Sequence, residues 1–263
     1  MDCHSFSKEE IKKHLSKETS HLCIDFHNTI DSTHTLAKEL VSTKGETPDI
    51  IIANMQTAGY GRFGKSFYSP KDTGIYMNFI LRDFPIPPSF VTMYAGIAVC
   101  DAISDTTGVQ TSMKWVNDIF LNGKKVGGIL MENMPAKDGE QIYILGIGIN
   151  FNTDFKQAEP SEQPNNIATS LFHNETPRAT RSELTASIIN HIHKCKGYTD
   201  RDILDRYKNL LFILGKDIKV TQGKHIYYAT ALDLDSAGHL IIKDQDGTIK
   251  TIIAGEVSVR SVI

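Results

Sequence analysis

The texture of the chain changes at Gly215, and this constrains the fold more than any other feature. From there to the end, β-like stretches follow one another with turns between them: Asp217 to Thr221, Ile226 to Leu234, His239 to Lys243, Ile249 to Ile253 and Val257 to Val262. Five strands in about 50 residues predict a small β-barrel. The residues before it mix helical and strand periodicities. The expected organisation is therefore α+β, with residues 1–214 as a larger unit and residues 215–263 as the small barrel.

Within the larger unit, Ser7-Lys8-Glu9-Glu10 fits a capping box, in which both end side chains satisfy backbone N–H groups left free at a helix start. Leu22 to Phe26 alternates as a strand does, Asp31-Ser32-Thr33 offers N-caps for a helix to about Val41, and Asp49 to Asn54 reads as an interior strand. A strand from Gly74 to Arg82, a helix from Ser89 to Thr107 stopped by Gly108, and an apolar strand from Ile142 to Asn150 follow. Asn122-Gly123 marks a hairpin, because both turn positions need positive φ. Residues 152–179 are polar and hold three prolines, which predicts a loop or poorly ordered excursion. Thr180-Arg181-Ser182-Glu183 then caps a helix to about Lys196, and a last helix spans Asp200 to Leu214.

Several function classes are excluded at this level. No apolar run approaches the roughly 20 residues a membrane-spanning helix needs, and Met1-Asp2-Cys3-His4-Ser5 lacks the apolar stretch of a secretory signal, so a cytoplasmic protein with no membrane partner is expected. Cys3, Cys23, Cys100 and Cys195 lie too far apart for a zinc cluster or a disulfide framework; reduced, mostly buried thiols are expected. A formal charge of −3 gives no general basic surface for nucleic acid.

Three segments carry candidate chemistry. Residues 55–65 hold Gly59, Gly61 and Gly64 with Arg62 and Lys65, which predicts a mobile loop whose backbone N–H groups and cations can meet a phosphate; a hairpin turn with solvated charges explains the same residues. Lys114-Trp115-Val116-Asn117-Asp118 precedes the hairpin strand with Lys125, Gly127 and Gly128. Glycines inside a strand weaken it and mark close approach of a ligand or another backbone. Gly146-Ile147-Gly148-Ile149-Asn150 is an apolar strand that ends on an amide, and taken alone it reads better as a plain core strand than as a site. The histidines form no helical ligand array, so no metal is expected beyond a nucleotide's magnesium.

In order along the chain, Asp31-Ser32-Thr33, Gln56-x-x-Gly59-x-Gly61-Arg62-x-Gly64, Lys114-Trp115-x-Asn117-Asp118, Lys125-Val126-x-Gly128-Ile129-Leu130, Gly146-x-Gly148-Ile149-Asn150 and Ala254-Gly255-Glu256-Val257-Ser258-Val259-Arg260 resemble the signature series of the bacterial biotin–protein ligases. The likeness spans roughly residues 20–263 and is specific through its order rather than through any one motif. It implies a class II synthetase-like mixed β-sheet flanked by helices, with a C-terminal barrel of the Src-homology-3 type. It further implies an ATP-dependent ligase that makes biotinyl-5'-AMP and biotinylates one lysine of a biotin carboxyl carrier protein, with ATP and Mg2+ required.

By this resemblance Ser32, Thr33 and Gln56 bind biotin, Arg62 and Lys125 act at the acyl-phosphate junction, Asn117 and Asp118 lie at the phosphate and magnesium end, and Asn150 is near the nucleotide. The loop residues Gly59, Tyr60, Gly61, Lys65 and Phe67, together with His34, Trp115, Gly127 and Gly128, complete the implied site. The sequence departs from the family pattern at Tyr60, Lys65, Val116, Phe67 and His34, where arginine, arginine, proline, tryptophan and asparagine are usual. About 20 residues precede the first motif, too few for the DNA-binding helix-turn-helix that some relatives carry, so a monofunctional enzyme without DNA binding is expected. Dimerisation is left open. A lipoate or octanoate transferase and a non-catalytic biotin-binding module are the rival readings.

Overall fold

The computed structural model describes residues 6–43, 46–135, 141–158, 168–173, 175–194 and 197–259. Cys3, Cys195, Lys196, Arg260 to Val262 and, in the polar stretch after Ala158, residues 159–167 and 174 lie outside the described residues.

Seven strands form one mixed sheet in the order β1-β2-β3-β7-β6-β5-β4. They are β1 (Ile24–His27), β2 (Ile50–Ala53), β3 (Gly74–Arg82), β4 (Ser112–Lys114), β5 (Asp118–Leu121), β6 (Lys124–Pro135) and β7 (Gln141–Asn150). β1 and β2 pair in parallel and the other pairs are antiparallel. The β5–β6 turn is Asn122-Gly123 with φ of 50° and 78°, as the dipeptide demands.

Helices cover the two faces unequally. On one face lie α3 (Pro88–Thr107), α4 (Arg181–Lys194) and α5 (Asp200–Leu210), with α4 and α5 each packed on α3 and α1 (Lys8–Lys13) beside α4 and β1. They bury Tyr143, Leu145, Ile147 and Ile149 of β7 and Ile50 and Ile52 of β2. The other face carries α2 (Thr33–Ser42), whose Ala37, Leu36 and Leu40 pack on Ile51, Ile80, Ile142 and Ile144. Each isoleucine fully buried in this way contributes about 1.5–3 kcal/mol, so every strand face that meets a helix is strongly specified.

Helix ends follow the local chemistry. The Ser7 side chain accepts from the Glu10 N–H at 3.2 Å, but the Glu10 carboxylate pairs with Lys13 instead of returning to the cap. Thr180 and Glu183 form the full reciprocal pair at 3.1 and 2.6 Å. Gly108 ends α3 at φ 74°. α5 stops at Leu210, four residues before the expected end. Leu211 bridges to Met113, Phe212 N–H donates to the Met113 carbonyl, and the buried Leu211 and Ile213 join the core, so tertiary contacts override helical continuation.

A second, antiparallel sheet follows: β8 (Asp217–Gln222), β9 (His225–Leu234), β10 (Leu240–Asp244), β11 (Ile249–Ile252) and β12 (Glu256–Val259), in the order β11-β10-β9-β8-β12. Among the described residues β11 and β12 do not pair, so the expected barrel is open at this seam. The chain turns through Ile253–Gly255 there and β12 takes its ladder from β8 alone. The inner face (Ile218, Val220, Ala231, Leu240, Ile242) shares one apolar cluster with the larger unit. Cys100 is buried, which pushes its thiol up to about 12, whereas Cys23 is exposed. No helix among the described residues is long and apolar enough to cross a membrane.

Candidate active site

Strand register builds the floor of a cleft on the α2 side of the large sheet. One cross-strand row there reads Tyr76, Gly148, Gly128, Asp118, Lys114, and the next reads Asn78, Gly146, Leu130. Further along, Ile142 and Ile144 fill the same face of β7 under α2. Beyond the helix, isoleucine gives way to glycine and a space opens. A Cβ on Gly148 would stand 2.7 Å from the Phe67 ring, and one on Gly146 would stand 3.0 Å from Asn78 Nδ2 and 3.2 Å from His34 Nδ1.

One end of the cleft is polar and largely uncharged. Ser32 caps α2 by accepting from Thr35 N–H at 3.3 Å, which sets Thr33 and His34 at the helix start facing the sheet. Thr33 N–H donates to Gln56 Oε1 at 2.9 Å, and its hydroxyl lies 2.6 Å from Asn78 Oδ1. Asn78 Nδ2 meets His34 Nδ1 at 2.8 Å, and Gln56 Nε2 donates to Ser69 at 3.0 Å. His34 is buried, and this desolvation lowers its pKa despite Glu132, whose carboxylate lies 3.4 Å from Nε2 but off the hydrogen-bond direction. The Tyr60 ring meets His34 edge-on at 5.6 Å.

The other end is cationic. Asp118 is held by two ammonium groups, Lys125 Nζ at 2.7 Å and Lys114 Nζ at 2.8 Å. Burial would raise its pKa, but the Lys125 and Lys114 charges win and hold the carboxyl below the ordinary range. Arg62 Nη1 donates to Asn117 Oδ1 at 3.0 Å, and Asn117 Nδ2 donates to the Ile129 carbonyl. The glycine loop is therefore clamped onto the β4–β5 corner. It contains one 3-10 turn, Arg62–Gly64, with Phe63 at φ 58°, and Lys65 Nζ lies 2.5 Å from Glu256 Oε1 of β12.

Arg62, Lys125 and Gln56 line this single cleft, as do Ser32, Thr33, His34, Tyr60, Gly61, Lys65, Phe67, Trp115, Asn117, Asp118 and Gly128. Three implied residues do not. Gly127 points to the helix-covered face, where a Cβ would strike the Gly148 carbonyl and Ile149 at 2.7 Å, so close approach of backbone explains it and a ligand does not. Gly59 leaves room for Gln56 and Ser69 at the base of the loop. Asn150 is buried and donates to the Thr169 carbonyl at 3.2 Å. Trp115 lines the cleft but gives its indole N–H to the Gly238 carbonyl, tying the two sheets together. Asn78 lines the cleft and was passed over by sequence reasoning, while Lys114 was named within its motif but given no role. A lone amide inside the apolar run Ile75 to Leu81 was the signal for the first.

The donor set does not fit a protein-held magnesium. Asp118 offers one carboxylate with both oxygens already on lysines, and no group of three or more His, Cys, Asp or Glu among the described residues could hold a metal. The expectation of Asp118 as a metal ligand gives way to a lysine clamp.

This geometry meets its counterpart among known proteins. Residues 26–150 match the Biotin/lipoate A/B protein ligase family, and residues 213–260 match the Biotin protein ligase C terminal domain. The chain is 31% identical over 264 residues to the bifunctional ligase/repressor BirA of Bacillus subtilis, covering 95% of this chain and 78% of that one. It is 25% identical over 219 residues to the biotin–[acetyl-CoA-carboxylase] ligase of Mycobacterium tuberculosis, covering 79% and 77%. A biotin protein ligase from Aquifex aeolicus in complex with biotin and ATP superposes with a TM-score of 0.74 at 26% identity, over 90% of this chain and 98% of that chain. The chain belongs to the biotin protein ligase family.

Proposed function

We propose that the protein joins biotin to AMP and passes the biotinyl group to a lysine of a biotin carboxyl carrier protein domain. The carrying observation is that a neutral hydrogen-bonding end and a cationic end share one glycine-floored cleft. A non-ionic bicyclic head suits Thr33, Gln56, Asn78 and His34, while the anionic junction falls among Arg62, Lys114 and Lys125. Six cationic side chains and two carboxylates line the cleft of a chain whose formal charge is −3. A polyanionic nucleotide is thus drawn to one place on the surface.

In the first step a carboxylate oxygen of biotin bonds to the α-phosphorus of ATP, and the bond to the bridging oxygen breaks, releasing pyrophosphate. In the second the acceptor amine bonds to the acyl carbon and AMP leaves. The chain's own task is alignment and charge stabilisation, with no nucleophile of its own. Magnesium is read as travelling with the nucleotide phosphates, consistent with its preference for substrate oxygens and water over all-protein cages. Lys125→Ala is expected to slow ATP-dependent pyrophosphate release by about 100-fold or more; normal release would remove Lys125 from this role.

The deciding experiment incubates the protein with labelled biotin, MgATP and a carrier domain. Label on the carrier lysine supports the reading, and preference for lipoate over biotin in pyrophosphate release would reassign the acyl substrate. A second reading, a biotin-responsive repressor, follows from the ligase/repressor named among the relatives. Tight sequence-specific binding of a promoter fragment in a low-salt titration would support it.

A further inference from the structure

The cleft exceeds what the reacting groups require. Its volume of about 1530 Å³ lies well above the roughly 300–1,000 Å³ usual for a small-molecule site. The lining continues past Lys114 along the edge strand β4 to the second sheet, through Phe120, Phe212, Lys216 and Lys219. These side chains form a connected ladder. Lys114 Nζ lies 5.2 Å from the Phe120 ring centre, the Phe120 and Phe212 rings are 5.0 Å apart, and Lys216 Nζ lies 5.4 Å from the Phe212 ring centre. Such contacts hold long cationic stems in place without neutralising them. Lys219 stands on β8 opposite Ser258 of β12, and both also line the cleft.

Charge pairing separates this arm from the rest of the site. Lys114 and Lys125 share Asp118, and Lys65 rests on Glu256. Among the described residues no carboxylate pairs with Lys216 or Lys219. Two ammonium groups without a carboxylate partner, beside a third on an aromatic ladder and facing the same cleft, suit a multiply charged anion.

We propose that Lys216 and Lys219, carried by the C-terminal unit, bind the pyrophosphate end of the nucleotide and hold the pyrophosphate product as it leaves. The inference rests on the adenylate-forming reading and adds a role for the second sheet in handling the leaving group. It also explains why the space runs between the sheets instead of ending at the Asp118 clamp.

The test is calorimetric titration of the full chain with sodium pyrophosphate, AMP or biotin in metal-free, low-salt buffer. For Lys216→Gln/Lys219→Gln, pyrophosphate affinity is expected to fall about tenfold, with AMP and biotin changing less than about twofold, and the double arginine variant is expected to recover binding. Unchanged pyrophosphate affinity overturns the proposal. So does an equal loss for AMP, or an equal effect of Lys243→Gln, which removes a lysine that does not line the cleft. The two readings fail separately: wild-type protein that binds no biotin but loses pyrophosphate in the variant sinks the biotin assignment alone, whereas normal biotin binding with unaltered pyrophosphate binding sinks this one.

Discussion

The two faces of β7 are built from the same ten residues and do opposite work. Toward α3 and α4, Tyr143, Leu145, Ile147 and Ile149 are buried and fill the space completely. Toward α2, the face begins with Ile142 and Ile144 and then turns to Gly146 and Gly148, leaving room above the strand. The sheet is thus held rigid from one side so that it can be left incomplete on the other. Side chains missing from one face lower stability little when the opposite face carries the core.

Variants that exchange these roles test the contrast. The largest effect is expected from Gly148→Leu, which places side-chain atoms where the Phe67 ring and the cleft floor meet. Biotin-dependent pyrophosphate release should fall about 100-fold or more while thermal unfolding shows a retained fold; a folded variant with normal turnover would mean the glycine floor is not the substrate surface. On the opposite face, Ile149→Ala should lower unfolding free energy by about 2–5 kcal/mol in denaturant titration, with turnover per folded molecule preserved. Gly127→Ala also belongs to that face. Its added methyl meets the Gly148 carbonyl, so it should destabilise by about 1–3 kcal/mol without removing a ligand contact, and a purely catalytic defect would place Gly127 in the site after all.

The smallest effect concerns pH. Burial lowers the His34 pKa, so above the ordinary histidine range folded and unfolded chains are both neutral there. Below that range the unfolded chain takes up a proton before the folded one, and stability declines as pH falls. His34→Asn should flatten this part of the stability profile. An unaltered slope between pH 7 and 5, measured by denaturant titration at several pH values, would show that His34 does not titrate as a buried group. Asp118 acts lower still: its depressed pKa contributes stability above the ordinary carboxylate range that is lost as pH falls through the folded value.

Local chemistry made much of the architecture legible. The Ser32 cap, the Asn122-Gly123 turn, the Gly108 stop and the Thr180–Glu183 box each depend on neighbours within four residues, so sequence is enough to place them. The end of α5 was not legible, because Phe212 leaves the helix for a partner near residue 113. β4 was missed for the same reason, being three residues long and defined by its pairing with β5. In the site, the glycine pattern pointed to the right strands but could not say which glycine faces which side. Gly127 and Gly128 are adjacent, and only register against β7 sends one to the core and the other to the cleft.

Sequence by itself determined the order of the longer elements, the family and the chemical character of the two ends of the cleft, since these reside in residue types and their spacing. Tertiary structure alone decided that Asp118 is a clamp between two lysines, that Trp115 joins the two sheets, and that Lys216 and Lys219 reach the same cavity as Arg62. Hydrogen bonds and charge pairs act over a few ångströms in space whatever the separation along the chain, so partners a hundred residues apart become visible only once the backbone has brought them together.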